Sequence, residues 1–386
     1  MHAKSATARE LLARLVAFDT TSAKTNVPLI DFVRATLDRH GVAYELVPTA
    51  DGEKVSLYAS IGPPGIPGVC LSGHTDVVPV TGQVWSSDPF TLVERDGRLH
   101  GRGACDMKGF LACMLAMAPS YQARALRTPI HLAFSYDEEV GCTGVRPMIT
   151  ELGHRLTRPR LVIVGEPTNL TVVDAHKGAT RYRTTVTGRE AHSSMAHLGV
   201  NAIHIAGILV AELAGIADEL QTIATDERFT PNHATLQVGL IEGGRAQNIV
   251  PRHAAFSWEI RDIPGFDQAS VLERFEAACA RRLPAMRRVA VDATITTELM
   301  NGVPAFHSGA GSEAVALAAT LTGQNATYAV SYGTEAGLFQ EAGSPSVICG
   351  PGDIAQAHTP DEWIFATEID RCLAFLDRLG DWAERN

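Results

Sequence analysis

The chain has 386 residues, of which 45% are apolar and 20% are charged, and its formal net charge is −10 at pH 7. One hydrophobic core rarely serves a chain of this length, so we expect two domains. The acidic balance and the absence of lysine- or arginine-rich runs argue against a nucleic-acid-binding protein. No apolar run approaches the roughly 20 residues that a membrane-spanning helix needs, so we expect no membrane partner.

Seven cysteines are scattered along the chain without paired spacing. An odd set without a framework pattern favours reduced thiols, and therefore a cytoplasmic protein. The first residues read as an amphipathic segment and not as an apolar signal peptide. A thiol nucleophile at Cys105 is disfavoured, because no histidine stands near it in an activating pattern that a metal site would not also claim.

The first half of the chain alternates between predicted helices and apolar strands. Thr7 to Glu10 has the form of a capping box, so we place the start of the first helix there. A second helix is predicted from about Val27 to Arg39, and a buried helix from Met107 to Tyr121. Strands are predicted at 44–47, 56–60, 68–73, 130–136 and 161–164.

The pattern changes around residue 178 and changes back near residue 300. Between them come an alternating strand (180–187), a long helix (201–220), two strands (234–241 and 254–261), a helix (268–283) and a strand near 289–296. This β-α-β-β-α-β order is typical of a ferredoxin-like α+β domain, in which helices cover one face of an antiparallel sheet. We therefore predict an α/β catalytic domain with a mixed sheet (1–177 and 298–386) that carries an inserted domain (178–297).

Imidazole and carboxylate side chains follow several of the predicted strands, where open α/β sheets place their ligand sites. In chain order they are His74, Asp76, Asp106, Glu138, Glu139, Glu166 and His358. Taken singly, each acid would usually lie on a solvated surface or cap a helix, so only the combination is informative. Two histidines and several carboxylates suit a pair of zinc ions that hold a water. Five other histidines lack this sequence context. We expect structural or surface roles for them: His100, His131, His154, His204 and His253.

The segments 71–76, 103–109, 137–139, 165–167 and 356–358 resemble those of the co-catalytic zinc aminoacylase and carboxypeptidase family. Within that family the chain is most similar to the acetylornithine deacetylases, over essentially its whole length. The resemblance implies two Zn²⁺ ions per subunit, with Co²⁺ as a possible substitute. It also implies a homodimer formed through the inserted domain, which would serve as a lid, and hydrolysis of N2-acetyl-L-ornithine in arginine biosynthesis.

The resemblance assigns the metal ligands residue by residue. His74 and Glu166 would hold one metal, and Glu139 and His358 the other. Asp106 would bridge the two, since a shared anion offsets the repulsion between neighbouring cations.

Three further features near the metals are implied. Asp76 would accept the second N–H of His74 and fix its tautomer. Glu138 would be the general base, because its side chain diverges from that of the ligand Glu139. The peptide bond between Asp106 and Met107 would be cis.

The resemblance also implies contacts to the substrate. His192 would stabilise the oxyanion, often from the partner subunit of a dimer. Arg261 would take the substrate α-carboxylate, because its planar guanidinium matches that anion, and Asn248 would be a neighbouring polar contact. Thr334 and Glu335 complete the set, with the Glu335 carboxylate paired to the δ-ammonium of ornithine.

Other functions remain open from the sequence. Gly333 replaces a cysteine that acetylornithine deacetylases often carry, so the substrate could be acetylcitrulline, succinyl-diaminopimelate or a dipeptide. A metal-binding scaffold without activity is disfavoured because Glu138, which binding alone does not need, is present. A dinucleotide enzyme is disfavoured because the glycine-rich loops contain no complete phosphate-binding motif.

Overall fold

The computed structural model describes residues 2–386. These residues form two compact units. Unit 1 comprises the residues up to 175 together with 307–329 and 334–386, and unit 2 comprises 176–306 together with 330–333.

The helices are α1 (His2–Val16), α2 (Val27–Asp38), α3 (Gly109–Gln122), α4 (Val145–Glu151), α5 (Ala202–Ile223), α6 (Gln268–Arg287), α7 (Glu313–Thr322), α8 (Ala336–Glu341) and α9 (Ala366–Arg385). The strands are β1 (Ala43–Pro48), β2 (Val55–Ile61), β3 (Val69–His74), β4 (Val93–Arg95), β5 (Arg98–His100), β6 (Ile130–Ser135), β7 (Leu161–Pro167), β8 (Val173–His176), β9 (Ala179–Thr187), β10 (Thr235–Gly243), β11 (His253–Arg261), β12 (Thr294–Val303), β13 (Phe306–His307), β14 (Tyr328–Val330), β15 (Ser346–Gly350) and β16 (Trp363–Phe365). Shorter segments are a π-helical turn at Ala104–Lys108 and 3-10 helices at Ser193–Leu198 and Ile354–Gln356.

The main sheet of unit 1 is mixed. Its strands follow the order β1-β2-β6-β3-β7-β15 and continue into β8. The central strands β6, β3, β7 and β15 run parallel to one another, whereas β1 and β2 are antiparallel to their neighbours. Every residue of β3, β6 and β7 is buried, as expected for parallel strands covered on both faces.

Helices α1, α3 and α9 pack together in the core of unit 1. Helix α3 is buried continuously from Gly109 to Ala118, so it has no solvent-facing stripe over that length. Helix α9 is amphipathic, with Ile369, Leu373 and Leu376 at helical spacing on its buried face.

Unit 2 is built on a four-stranded antiparallel sheet in the order β10-β11-β9-β12. Alternate residues of β9 are buried, among them Tyr182 and Val186, and they share a core with α5 and α6. Trp258 stacks on Tyr182 with ring centroids 4.5 Å apart and meets Phe275 edge-on at 5.0 Å. The alternation of buried and more exposed residues along β9 is the pattern of a sheet covered by helices on one face.

Two predicted boundaries are wrong. Helix α1 begins at His2 and not at a capping box, and the Thr7 hydroxyl donates to the Ala3 carbonyl at 3.0 Å from within the helix. The buried Ala8 already faces the core, so the apolar face starts earlier than the leucines indicated. The last strand of unit 2 begins at Thr294, because Val291, which suggested an earlier strand, is 87% exposed.

The predicted fold class, an α/β fold with a mixed sheet, is confirmed. Among the residues described, every helix is too short or too polar to traverse a lipid bilayer.

Candidate metal centre

The carboxyl ends of three neighbouring strands meet at one edge of the unit 1 sheet. Strand β3 lies between β6 and β7 and is parallel to both. It delivers His74, the segment after β6 delivers Glu138 and Glu139, and β7 contains Glu166. Ligand positions that are far apart in the sequence are thus brought to one place by strand order alone.

Asp106 reaches the same place from a tight turn before α3. Gly103 has a φ of +77°, and a Cβ atom there would lie 2.5 Å from Val77 Cγ1, so the turn requires glycine. The peptide bond between Asp106 and Met107 is cis, which confirms that prediction. Asp106 is 5% exposed, so its carboxylate faces the interior of the cluster.

The side chains form two groups that share Asp106. Asp106 Oδ1 lies 3.0 Å from His74 Nε2, and Asp106 Oδ2 lies 3.2 Å from His358 Nε2. Glu166 Oε1 is 3.7 Å from His74 Nε2, and Glu139 Oε2 is 3.1 Å from His358 Nε2. Each histidine therefore has one carboxylate of its own and one oxygen of the shared aspartate.

The cluster contains more carboxylates than imidazoles. Burial and the neighbouring acids raise the pKa of Glu166 and Glu138 well above its ordinary value, and raise the pKa of Glu139 to about 7. Hydrogen bonds with Asp106 and Glu139 raise the pKa of His358 to about 10. Burial acts to raise the pKa of Asp106, but its hydrogen bonds with the two histidines outweigh burial and lower it. Buried anions held this close favour any bound positive charge.

This donor set fits divalent cations. His74, Asp106 and Glu139 each offer a ligand atom within 4.8 Å of the others, and so do His74, Glu138 and Glu166. Among the described residues, nothing donates a hydrogen bond to the buried Glu166 Oε1. Imidazole and carboxylate groups around an uncompensated negative charge suit a divalent metal ion. Glu138, predicted as the base, also lies within reach of a ligand position.

Asp76 differs in detail from its predicted role. The Nδ1 of His74 lies 2.9 Å from the Asp76 backbone oxygen and 3.4 Å from Oδ1 of its carboxylate. That carboxylate accepts the backbone N–H of Glu138 at 3.1 Å, the backbone N–H of Glu139 at 3.3 Å and the hydroxyl of Ser22 at 2.7 Å. Asp76 therefore supports His74 chiefly through its backbone, while its side chain holds the segment that carries the two glutamates.

Comparison with known proteins places the chain in a family. Residues 70–381 match the profile of Peptidase family M20/M25/M40. Acetylornithine deacetylase of Myxococcus xanthus is 39% identical over 388 aligned positions, covering 96% of each chain.

The chain belongs to the M20/M25/M40 peptidase family. It is accordingly a hydrolase that acts on amide bonds.

Solved structures agree with this family at the level of the fold. The di-peptidase Dug1p of Saccharomyces cerevisiae aligns with a TM-score of 0.78 at 14% identity, over 100% of this chain and 97% of that one. The YXEP protein of Bacillus subtilis, described as a dinuclear metal binding peptidase from the M20 family, aligns with a TM-score of 0.65 at 15% identity, over 98% of each chain.

The substrate residues that the family resemblance placed in unit 2 are exposed or half-exposed. His192 and Asn248 lie on adjacent backbones, since the Ser193 N–H donates to the Asn248 carbonyl at 3.0 Å. Nδ1 of His192 accepts the Ser194 N–H at 3.2 Å, which leaves the imidazole proton on Nε2. Arg261 donates from Nε to Glu259 Oε1 at 2.8 Å and remains 32% exposed at its side chain.

Glu335 is placed differently from what the family resemblance implied. It is 1% exposed, and its carboxylate accepts hydrogen bonds from the hydroxyls of Ser72 and Ser135 beneath strands β3 and β6. Burial raises the pKa of Glu335 to about 7. The Glu335 carboxylate is thus enclosed by protein groups in this structure, and its predicted contact with a substrate stays a prediction. Thr334 is also fully buried, with its Oγ1 accepting the Ala336 N–H at 3.1 Å.

Two supporting residues of the M20/M25/M40 site were missed by the sequence analysis. Glu362 accepts the backbone N–H of the ligand Asp106 at 3.1 Å, and Arg102 donates to Glu362 at 2.7 Å. Both lie next to segments that carry the family resemblance. The sequence around a single charged residue, however, does not show whether its side chain is buried against a partner or exposed at the surface.

Proposed function

We propose that the chain is a zinc-dependent amidohydrolase that removes the acetyl group from N2-acetyl-L-ornithine and releases ornithine and acetate. The observation that carries the proposal is the cluster in which two imidazoles share the buried Asp106 beside an excess of carboxylates. The near full-length similarity to a Myxococcus xanthus protein named acetylornithine deacetylase supports the choice of substrate. A cytoplasmic place in arginine biosynthesis is part of the same proposal.

The metal ligands follow from the two groups that share Asp106. His74 and Glu166 would hold one zinc ion, Glu139 and His358 would hold the other, and Asp106 would be shared between them. When bound, the ions supply Lewis acidity toward the amide carbonyl and toward water. Asp76 contributes by fixing the backbone that presents Glu138 and Glu139.

Glu138 moves the proton. Its half-buried carboxylate has a raised pKa, because burial and the nearby Glu139, Asp106 and Asp76 disfavour the charged form. A carboxylate with a pKa moved toward neutrality can accept a proton from the attacking water and return it to the departing amine nitrogen. Without that second transfer the amine would have to leave as an amide anion.

Residues of unit 2 bind and polarise the substrate. The Nε2–H of His192 donates to the oxygen on which negative charge develops, and Asn248 lies beside it on the neighbouring backbone. Arg261 donates to the substrate α-carboxylate from the N–H groups that Glu259 leaves available.

We also propose a homodimer formed through unit 2, with His192 acting in the partner's site. The edge strand β10 supports this, because Leu240 and Ile241 are 70% and 58% exposed. Mixing the inactive variants Glu138→Gln and His192→Ala tests it. Each mixed dimer has one intact site of two, so it should regain about half the activity of an unmodified dimer, and a randomly mixed sample about a quarter. A Leu240→Lys variant that stays dimeric in sedimentation would contradict the interface through β10. A mixture that stays inactive would contradict the action of His192 in the partner's site.

The substrate is tested by kcat/KM over a panel at saturating zinc. The panel contains N2-acetylornithine, N-acetylcitrulline, N-succinyl-diaminopimelate and an unmodified dipeptide. We expect acetylornithine to give the largest value. A larger value for another member would assign the chain to that substrate, and activity that survives complete removal of metal would refute the metal-dependent mechanism.

A further inference from the structure

A small sheet joins the two segments that carry Asp106 and His358. Strands β4, β5 and β16 form it, with β5 and β16 antiparallel and Leu99 opposite Ile364. The pairing continues beyond the strand ends, since the Gly101 N–H donates to the Glu362 backbone oxygen at 2.9 Å. Two stretches of chain that are distant in the sequence therefore run side by side next to the metal centre.

The Glu362 side chain accepts four hydrogen bonds from the segment that carries Asp106. Its Oε2 accepts from Arg102 Nη1 at 2.7 Å and from the Gly103 N–H at 3.0 Å. Its Oε1 accepts from the N–H groups of Cys105 at 3.0 Å and Asp106 at 3.1 Å. Glu362 is 1% exposed, so protein donors replace the water that a buried carboxylate would otherwise need.

Arg102 extends the network toward the second histidine ligand. It is 1% exposed, and its guanidinium lies 5.0 Å from the centre of the Trp85 ring. Its Nη2 donates to Gln83 Oε1 at 2.5 Å, and Gln83 Nε2 donates to the His358 backbone oxygen at 3.0 Å. One chain of contacts thus connects the backbones of Asp106 and His358.

We propose that Glu362 and Arg102 are positioning residues that fix Asp106 and His358 in place before a cation binds, and so set the metal affinity of the site. Among the residues that the structure describes, neither side chain hydrogen-bonds to a side chain of the metal cluster, so the two act through the backbones they hold. A carboxylate is needed because a glutamine amide in either orientation would direct its NH₂ group at two N–H donors. The inference depends on the proposed metal site but not on the identity of the substrate.

Cobalt retention tests the proposal. The full-length protein is loaded with Co²⁺ and dialysed against graded chelator, and retained cobalt is read from its visible absorption. We expect Glu362→Gln to bind Co²⁺ about 10- to 100-fold more weakly, which is the usual effect of losing a group that orients a metal ligand. Glu313→Gln is the matched control, because Glu313 also pairs with an arginine in unit 1 but is 44% exposed at its side chain. It should retain cobalt as the unmodified protein does.

Activity against added cobalt separates positioning from chemistry. Excess Co²⁺ should restore much of the kcat of Glu362→Gln, but should not restore Glu138→Gln, which lacks the proton-transferring group. Arg102→Lys keeps the charge and should weaken cobalt binding less than Arg102→Met. Circular dichroism confirms that each variant is folded. Should Glu362→Gln not fold, the partly exposed Gln83→Ala carries the test, with an expected loss of about 3- to 10-fold in affinity.

The outcomes distinguish this inference from the proposed function. A protein whose unmodified form retains no cobalt would refute the metal site itself. An unmodified protein that retains cobalt, together with folded Glu362 and Gln83 variants of equal affinity, would overturn the positioning role and leave the proposed hydrolase intact.

Discussion

The strands at the centre of unit 1 are buried from end to end, whereas those of unit 2 alternate between buried and exposed residues. The first arrangement excludes water from the point where β3, β6 and β7 end, so charged groups there interact strongly. The second leaves His192, Asn248 and Arg261 in or near solvent, each held by a few local hydrogen bonds. The groups proposed for catalysis in unit 1 are therefore mostly shielded from solvent, whereas those proposed for substrate binding in unit 2 lie in or near it.

The largest expected effect of a single substitution lies on the unit 1 side. Glu138→Gln removes the proton-transferring carboxylate and should lower kcat by about 10²- to 10⁴-fold. Metal content, measured by atomic absorption, should stay near that of the unmodified protein, whereas Glu139→Gln should lose metal. A Glu138→Gln variant with near-normal turnover would show that Glu138 is not the general base.

A smaller effect is expected from unit 2. His192→Ala removes a donor that acts only as negative charge develops, so kcat should fall by about 10²- to 10³-fold with little change in stability. His197→Ala is the control, since His197 is exposed in the 3-10 helix that directly follows His192. Equal loss in both variants would show that the helix, and not the imidazole, is what matters.

Metal removal should make the stability of unit 1 depend on pH. In the metal-free protein burial and Asp106 raise the pKa of Glu139 from 4.5 to about 7. Protonated Glu139 therefore contributes its full share of stability below the pKa it has in the unfolded chain. That contribution is lost as pH rises through the pKa it has in the folded protein. Hydrogen bonds raise the pKa of His358 from 6.5 to about 10, so its contribution is lost at still higher pH. The pKa of Asp106 is lowered from 3.8, so its contribution is already complete above that value.

We therefore expect the melting temperature of the chelated protein to fall steadily from about pH 5 to about pH 9. The zinc-loaded protein should change less over the same range, because bound cations keep these ligands deprotonated. Scanning calorimetry of both forms measures this. Parallel curves would mean that the cluster is not the source of the pH dependence.

The smallest expected effect concerns Glu335. Glu335→Gln should lower kcat/KM by the same factor for acetylornithine and for acetylcitrulline, whose side chain is uncharged, because the Glu335 carboxylate supports strands and is 1% exposed. Glu335→Leu should reduce the free energy of unfolding by about 1 to 3 kcal/mol, since Ser72 and Ser135 would lose their acceptor. A loss of kcat/KM for acetylornithine alone would indicate that Glu335 contacts the ornithine side chain.

The residues that the sequence predicts well are those with two local signals at once. His74 and Glu166 follow or end long apolar strands, and Asp106 begins a buried helix, so residue type and predicted position reinforce each other. The same holds for the positions of the buried strands of unit 1 along the chain. Helix ends were less predictable, because Thr7 is as compatible with a helix interior as with a cap.

Other features could not be predicted because they depend on contacts across the fold. Glu335 follows Thr334 in a segment that reads as a polar loop, and only its packing under Ser72 and Ser135 shows that it is buried. Glu362 and Arg102 lie far apart in the sequence and meet only through the pairing of β5 and β16. A side chain whose partners come from another part of the chain leaves no local pattern.

The separation of the two histidines along the chain also bears on how the enzyme matures. A ribosome that has made residues up to Glu166 has already produced His74 and Asp106, but His358 emerges only with the last strand and helix. Under the proposed ligand assignment, a nascent chain can complete one half of the centre once Glu166 has been made, and the other half only after His358. The two ions would then be acquired in a fixed order during synthesis.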